Sequence, residues 1–236
     1  MLQIKKIDLT KKQNLILTDI SLDCAPGTIT TLIGKSGAGK TSLLKCIGQL
    51  DPAYSGLVEF NGKDLRKFTH KEKAELIGFV FQQYNLFPHM TVINNCTNPL
   101  RIVKKYDENQ ALAIAQPILE KFGLKKLANV YPMNLSGGQQ QRVAIARALC
   151  FNPNIICLDE PSAALDPENS MLLITTLKDL AKSGTTILLS SQDMPFVKGI
   201  ADVIVMLEDG KLIEKCNIQD IKQKSSKISN FLDLMN

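Results

Sequence analysis

The chain has 236 residues, of which 44% are hydrophobic, and it carries a formal net charge of +5. This length suits one domain or two joined lobes, and every apolar run is shorter than the roughly 18 residues that a membrane span needs. The lysine pairs are scattered and are not interleaved with aromatic residues, which argues against a nucleic-acid groove. Since the N-terminus lacks a stretch of signal-peptide type, we expect a cytoplasmic protein.

The first 83 residues are predicted to be rich in strands. Short apolar runs at residues 15–17 and 29–33 are typical of strands, and Pro26-Gly27 predicts the turn between them. Apolar residues at helical spacing predict one helix over residues 41–50. Asn61-Gly62 after an apolar run predicts a hairpin turn.

Helical signals dominate between residues 84 and 150. The spacing predicts helices over 107–122 and 137–149, and Pro117 is expected to kink or split the first of these. We interpret this stretch as a helical subdomain inserted into a strand-rich core formed by residues 1–83 and 151–236.

The last third of the chain returns to short apolar runs, which are typical of parallel strands buried on both faces. These runs are residues 155–158, 186–189 and 203–207, with a helix that begins at Pro167 and ends near Gly184. The fold class is therefore predicted to be α/β. We expect one domain over 1–236, with a mostly parallel core sheet, an antiparallel β arm and the inserted helices.

A glycine-rich segment between a predicted strand and a predicted helix matches the phosphate-loop pattern. Glycines let backbone N–H groups turn toward phosphates, and the following helix N-terminus favours anions. Lys40 is expected to contact the β- and γ-phosphates of ATP, and Thr41 to bind Mg²⁺. The predicted nucleotide-binding residues here are Gly34, Lys35, Ser36, Gly37, Ala38, Gly39, Lys40, Thr41 and Ser42.

An acidic pair follows the apolar run at residues 155–158. Carboxylates at the end of a buried parallel strand lie where α/β sheets bind ligands. We expect Asp159 to hold Mg²⁺ and Glu160 to act as the general base toward the attacking water. The alternative is that the pair is only an acidic cap of a following helix.

The stretch Leu135-Ser136-Gly137-Gly138-Gln139-Gln140-Gln141-Arg142 resembles the signature of the ATP-binding subunits of ABC transporters. Together with the phosphate loop and the acidic pair, it extends the resemblance over nearly the whole chain. The resemblance implies a head-to-tail dimer of two copies with two ATPs at the interface. The residues that would act on the partner's ATP are Ser136, Gly137, Gly138 and Gln139. A glycine-rich helix start without a ligand is the alternative.

Three further segments resemble loops of that family. Gln82 stands at the position of the Q-loop glutamine, which implies contact with Mg²⁺ and the attacking water; Gln83 is the competing assignment, and a polar strand end is the alternative. Residues 84–89 are similar to loops that meet the membrane subunit. Residues 162–166 resemble the D-loop, in which Asp166 is also a candidate helix cap.

The subfamily signals are similar to those of polar amino-acid importers. They are residues 87–92, 159–168 and 228–232. The resemblance implies permease subunits, a solute-binding protein and a peripheral position on the cytoplasmic face of the inner membrane. Lipoprotein and peptide exporters are an alternative. ABC ATPases that act on DNA or ribosomes usually carry a coiled coil or two fused domains, for which this chain is too short.

Two positions depart from the family pattern. Gln192 stands where the family usually has a histidine, so it can donate an amide N–H to the γ-phosphate but cannot relay a proton. We expect slowed hydrolysis with Gln192 as a catalytic residue; a clamp that binds ATP without hydrolysis is the alternative. No aromatic residue precedes Tyr54 to stack on adenine, so we expect poor discrimination between ATP and GTP.

Overall fold

The computed structural model describes residues 1–223 and 227–234. Within them the strands are β1 (Leu2–Lys11), β2 (Asn14–Cys24), β3 (Ile29–Ile33), β4 (Ser55–Phe60), β5 (Lys63–Asp64), β6 (Ile77–Val80), β7 (Ile155–Asp159), β8 (Thr186–Ser190), β9 (Val203–Glu208) and β10 (Lys211–Asn217). The α-helices are α1 (Lys40–Ile47), α2 (His70–Leu76), α3 (Val92–Val103), α4 (Glu108–Lys121), α5 (Gly137–Leu149), α6 (Pro167–Lys182), α7 (Met194–Ile200) and α8 (Lys227–Leu234). None of the helices in these ranges combines the length and apolarity that a membrane crossing requires.

The strands form two sheets. The larger has the order β10-β9-β3-β8-β7-β6, and all of its neighbouring pairs are parallel except the edge pair of β10 with β9. The smaller is an antiparallel sheet with the order β2-β1-β4-β5. The fold class predicted from the sequence is confirmed.

The larger sheet is covered on both faces because its central strands are apolar on both sides. In β7, Ile156 and Leu158 pack into a core shared with α5, α6 and the helical segment, whereas Ile155 and Cys157 pack with α1 and the antiparallel sheet. All five residues of β3 and of β8 are buried as well. Burial on both faces is typical of parallel strands, and the loops of the site follow the carboxyl ends of these strands.

Most predicted elements are confirmed, with shifted ends. Helix α1 begins at Lys40 and stops at Ile47, three residues before the predicted end, because Gly48 caps it and Gln49 turns into the left-handed region (φ 57°). The hairpin turn has positive φ at both Asn61 (50°) and Gly62 (80°), as its Asn-Gly sequence requires.

Of the two outcomes predicted for Pro117, a kink or a split of the helix, the split is wrong. Helix α4 runs unbroken from Glu108 to Lys121 with Pro117 inside it. Pro117 is exposed, so the carbonyl that its missing N–H leaves free can be satisfied by water. The helix begins with a capping box between Asp107 and Gln110, which strengthens its first turn.

Candidate functional site

The phosphate loop lies between β3 and α1, and its backbone conformation depends on glycine. Gly34 has φ +142°, and a Cβ there would lie 2.2 Å from the carbonyl oxygen of Leu207. Gly39 is the N-cap of α1 with φ +101°, and no side chain caps the helix. The first N–H groups of α1 are therefore free to bind an anion.

Lys40 lies inside this loop as a buried cation, only 6% exposed. Its Nζ donates to the carbonyl oxygens of Gly34 at 2.7 Å and Lys35 at 3.1 Å. Burial lowers the pKa of Lys40, and the nearby carboxylates of Glu160 and Asp159 oppose that shift. The lysine is held over the loop by weak neutral acceptors that a phosphate can replace.

The acidic pair follows β7, and β8 fixes its first member. Asp159 is buried, and its Oδ1 accepts hydrogen bonds from Thr41 Oγ1 at 2.9 Å and Ser190 Oγ at 2.7 Å. Asp159 is paired with Ser190 in the parallel register of the two strands, which places the hydroxyl beside the carboxylate. The structure therefore joins the phosphate loop to the acidic pair through Thr41.

Glu160 has a strained backbone and one free carboxylate oxygen. Its φ is +48°, and its N–H donates to Ser190 Oγ at 3.1 Å. The Oε2 atom accepts from the backbone N–H of Gln192 at 3.0 Å, while Oε1 is buried without a hydrogen-bond partner in the described structure. Burial raises the pKa of Glu160, against the opposing effects of the Gln192 N–H and the Lys40 charge. A carboxylate with a raised pKa and an unused oxygen is suited to accept a proton.

Most of these groups line one cleft of about 370 Å³, whereas Gly34, Lys35 and Asp159 are not among its lining residues. Its lining brings together most of the residues that the sequence singled out, because β3, β6, β7 and β8 all end at the same edge of the sheet. The lining residues are Ile16, Ser36, Gly37, Ala38, Gly39, Lys40, Thr41, Ser42, Gln82, Glu160 and Gln192.

The glycine-rich segment before α5 lies elsewhere. Ser136 is the N-cap of α5, where its Oγ accepts from Gln139 N–H at 3.3 Å and Gln139 Oε1 accepts from Ser136 N–H at 2.9 Å. Among the described residues that line the cleft, none comes from the Ser136–Gln139 segment. Instead, the carbonyl oxygen of Ala164 lies 2.9 Å from the position that a Cβ on Gly138 would take.

Two residues of this site were not predicted from the sequence. Ser190 bridges Asp159 and the backbone of Glu160, and Ile16 adds an apolar surface to the cleft beside the phosphate loop. A signal for Ser190 existed, since it ends the strand that leads to Gln192. Ile16 gave no signal, because only the packing of β2 against the loop brings it there.

Comparisons with known proteins point to one family. Residues 17–163 match the model of the family described as ABC transporter. The chain is 40% identical over 223 residues to a probable amino-acid ABC transporter ATP-binding protein of Haemophilus influenzae, covering 91% of this chain and 87% of that protein. It is 36% identical over 237 residues to an arginine transport ATP-binding protein of Bacillus subtilis, covering 99% of both.

A solved structure is also similar. It is a dimeric ATP-binding cassette in a post-hydrolysis state, bound to ADP and Pi, with a TM-score of 0.86 and 32% sequence identity. The match covers 92% of this chain and 99% of that one.

Proposed function

The chain belongs to the ABC transporter family, and from that membership we propose that it is the ATP-hydrolysing subunit of an importer of polar amino acids. One observation carries the proposal: the phosphate loop, Gln82, Glu160 and Gln192 line a single cleft, to which Thr41 joins Asp159. The substrate class rests on the names of the relatives, which specify amino-acid and arginine transport.

The residues of the cleft fit Mg²⁺. The Thr41 hydroxyl and an Asp159 carboxylate oxygen lie 2.9 Å apart, and oxygen atoms are the ligands that this cation prefers. Gln82 lines the same cleft and adds an amide oxygen. Thr41, Asp159 and Gln82 would therefore hold the ion, directly or through water. When bound, Mg²⁺ neutralises charge on the β- and γ-phosphates.

Binding of ATP falls to the phosphate loop. The backbone N–H groups of residues 34–42 would surround the phosphates, and Lys40 would exchange its two carbonyl acceptors for β- and γ-phosphate oxygens. That exchange is favourable because a charge-assisted bond to phosphate is stronger than a bond to a neutral carbonyl. The purine ring of the nucleotide would contact the aliphatic side chain of Ile16, and such a contact distinguishes adenine from guanine poorly.

Hydrolysis requires a base at the γ-phosphate, and Glu160 fills that role. Water attacks the γ-phosphorus, Glu160 Oε1 accepts the water proton, and the bond to the bridging oxygen of ADP breaks to release phosphate. The N–H of Gln192 holds the other oxygen of the base in place. Retention of this base favours hydrolysis over an ATP clamp without turnover.

Turnover is proposed to be slow because of Gln192. Its side-chain amide would donate to the γ-phosphate in the cleft it lines, but an amide carries no positive charge at this point. Loss of one positioned donor to a transition state costs roughly 3–4 kcal/mol, and replacement by another donor costs less.

The second half of the ATP site would come from a second copy of the chain. Ser136, Gly137, Gly138 and Gln139 begin helix α5 and lie outside the cleft of their own subunit. The free N–H groups at this helix start suit a phosphate. In a head-to-tail dimer, each segment would contact the partner's ATP. The similar cassette bound to ADP and Pi is also dimeric.

The complete assembly would contain permease subunits and a solute-binding protein. The present chain would lie at the cytoplasmic face of the inner membrane as a peripheral subunit, with residues 84–150 as the helical subdomain between the membrane contact and the core formed by 1–83 and 151–236. No nucleic acid takes part in this scheme.

Reconstitution with permease subunits that associate with this chain tests the proposal. Proteoliposomes that hold MgATP on the side of the membrane where this chain is bound should take up labelled arginine or glutamine. A matched preparation with Lys40→Met should not. Phosphate release without uptake of any polar amino acid would contradict the import assignment. Absence of phosphate release from the wild type would contradict the ATPase assignment itself.

A further inference from the structure

Another cavity lies at the amino ends of β6 and β7, whereas the ATP cleft lies at the carboxyl ends of the strands. We call it the amino-edge groove; its volume is about 370 Å³, within the range of about 300–1,000 Å³ for small-molecule sites. Leu76 and Asn154, which immediately precede β6 and β7, are in its lining. The N–H of Asn154 donates to the Leu76 carbonyl at 3.0 Å, and its carbonyl accepts from Thr186 N–H at 2.9 Å. These bonds attach this part of the groove to the sheet.

The side chains around the amino-edge groove come from both lobes of the chain. Phe68, Glu72 and Glu75 belong to the core, on helix α2 or just before it. Lys104 is the C-cap of α3 in the helical subdomain, and Phe151 follows α5 at the boundary between the two lobes. A ligand that binds both α2 and Lys104 would therefore join the core to the helical subdomain.

Lys104 offers a partly buried ammonium group with weak partners. Its Nζ donates to the carbonyl oxygen of Phe151 at 3.3 Å and lies 5.9 Å from the centres of the Tyr106 and Phe151 rings. In the part of the chain that the structure describes, it forms no ion pair with a carboxylate. A carboxylate binds an ammonium group more strongly than a neutral carbonyl does, so Lys104 is suited to hold the carboxylate of a ligand.

Of the two carboxylates in the amino-edge groove, Glu75 is the one available to a cation. Glu72 and Glu75 are three residues apart on α2 and so lie on the same face of the helix. Glu72 Oε2 accepts from Thr69 N–H at 2.6 Å in the capping box, and its Oε1 lies 3.8 Å from Lys63 Nζ. Glu75 pairs with Lys71 at 3.9 Å, and an exposed pair of this kind contributes little. A ligand cation can therefore replace Lys71 at Glu75.

The rest of the lining is aromatic or carries amides. Lys63 Nζ lies 4.0 Å from the centre of the Phe68 ring, so that ring already contacts a cation. The hydrocarbon part of a ligand is therefore expected at Phe151, beside Lys104. The exposed side-chain amides of Asn152 and Asn154 make no hydrogen bond to another described residue, so they are available to ligand donors and acceptors.

We infer that the amino-edge groove is a regulatory site for a basic amino acid, whose carboxylate binds Lys104 and whose side-chain cation binds Glu75. A molecule without a positive charge would leave Glu75 with the distant Lys71, and one without a carboxylate would leave Lys104 with a neutral carbonyl. Only a molecule with both groups uses both ends of the site. Phe151 would cover the hydrocarbon stem between them.

The regulatory part of the inference rests on the proposed function. A ligand held by α2 and Lys104 binds one relative arrangement of the two lobes and so favours that arrangement. Hydrolysis in the proposed dimer requires the phosphate loop of the core and Ser136 of the helical subdomain to reach their nucleotides together. A restraint between the lobes therefore lowers kcat. It leaves the KM for ATP unchanged, because the ATP cleft lies at the opposite edge of the sheet.

NMR titration of the isotope-labelled wild-type chain with L-arginine, at constant ionic strength, tests the site without nucleotide. Arginine should bind with a dissociation constant of about 1 mM, the order expected for a ligand of about a dozen non-hydrogen atoms. The side-chain amide signals of Asn152 and Asn154 should shift, and the backbone signals of residues 34–42 should not. No saturable shift up to about 10 mM, ten times that constant, would overturn the inference, as would shifts confined to the phosphate loop.

Two arginine analogues identify which end of the ligand each residue binds. L-Citrulline has a neutral side chain, agmatine has no carboxylate, and each should bind about two- to fivefold more weakly than arginine, as expected for the loss of one exposed charge pair. Glu75→Gln should make arginine and citrulline bind alike, and Lys104→Met should make arginine and agmatine bind alike. Equal binding of all three ligands to the wild type would overturn the inference even if neither variant folds.

Phosphate release at saturating MgATP tests the regulation. Saturating arginine should lower wild-type kcat about twofold or more, and the decrease should disappear in Glu75→Gln and in Lys104→Met. Lys105→Met is the matched control, since Lys105 is exposed and is not in the lining of the groove, and it should keep the decrease. A wild-type kcat that arginine does not change would overturn the regulatory role. A wild-type chain that releases no phosphate at all would instead contradict the proposed function, and the titration without nucleotide would still test the site.

Discussion

Substitution of Glu160 by glutamine should abolish turnover and, at the same time, stabilise the fold. The glutamine carbonyl can still accept the Gln192 N–H that Oε2 accepts at 3.0 Å, so the local geometry is retained. Its NH₂ group would replace Oε1, the oxygen without a partner in the described structure, and an amide cannot accept the water proton. A positioned general base contributes about 10²–10⁴-fold to a rate, or about 3–5 kcal/mol of the barrier.

The stability effect follows from the direction of the pKa shift. Burial raises the pKa of Glu160 above that of the unfolded chain, so folding favours the protonated carboxyl. Ionisation of this carboxyl therefore lowers the free energy of unfolding. The loss is small below the pKa of the unfolded chain, grows between the two pKa values and is complete above the pKa of the folded protein. Glutamine removes this cost, so the melting temperature should rise at pH 8, and the rise should shrink toward pH 4.

Phosphate release at saturating MgATP measures the first effect, and thermal unfolding without nucleotide at both pH values measures the second. Glu120→Gln is a suitable control, because Glu120 is exposed and its ion pair with Lys125 at 2.8 Å should contribute little. A Glu160→Gln variant that retains more than about a tenth of wild-type turnover would refute the general-base assignment. A lower melting temperature at pH 8 would refute the argument from burial.

Three further predictions concern other parts of the molecule. Gln192→His should raise kcat several-fold with little change in KM, because it restores a group that can carry charge at the γ-phosphate; an unchanged kcat in a phosphate-release assay would show that this position does not limit turnover. Gly34→Ala should abolish ATP binding and lower the free energy of unfolding, measured in urea, by at least about 1–3 kcal/mol. The new Cβ would lie 2.2 Å from the carbonyl oxygen of Leu207, and a φ of +142° is strained for alanine. Gly184→Ala is the control for the conformational strain alone, because its Cβ would have no atom within 4 Å. Burial raises the pKa of Cys24 to about 11 and that of Cys46 to about 12. Both thiols should therefore resist an aromatic disulfide reagent at pH 8 until the chain unfolds. Rapid labelling of either thiol in the folded protein would contradict their burial.

Several elements escaped sequence analysis although they carry local signals. Helix α2 begins with a capping box between Thr69 and Glu72, and α3 has Thr91 as its N-cap. Pro99 lies inside α3 and obscures its helical pattern. These helices are short or interrupted, so their stability depends on packing more than on intrinsic propensity.

The sequence alone determined those features that depend on neighbouring residues. The glycines that let the phosphate loop turn, the serine and glutamine that cap α5, and the apolar runs that become buried strands are all properties of short segments. Each restricts its own backbone whatever surrounds it, so motif and element type could be predicted together.

Only the tertiary structure decided which of these segments meet. Gln82, Asp159 and Gln192 are far apart in sequence, and they share one edge because β6, β7 and β8 are adjacent parallel strands. The hydrogen bonds that the Arg147 guanidinium on α5 donates to the carbonyl oxygens of Tyr84 and Asn85 likewise depend on how α5 packs beside the segment after β6. Strand order and helix packing are set by the burial of apolar surface across the whole chain. This burial depends on contacts between residues far apart in sequence, so no short sequence pattern predicts it.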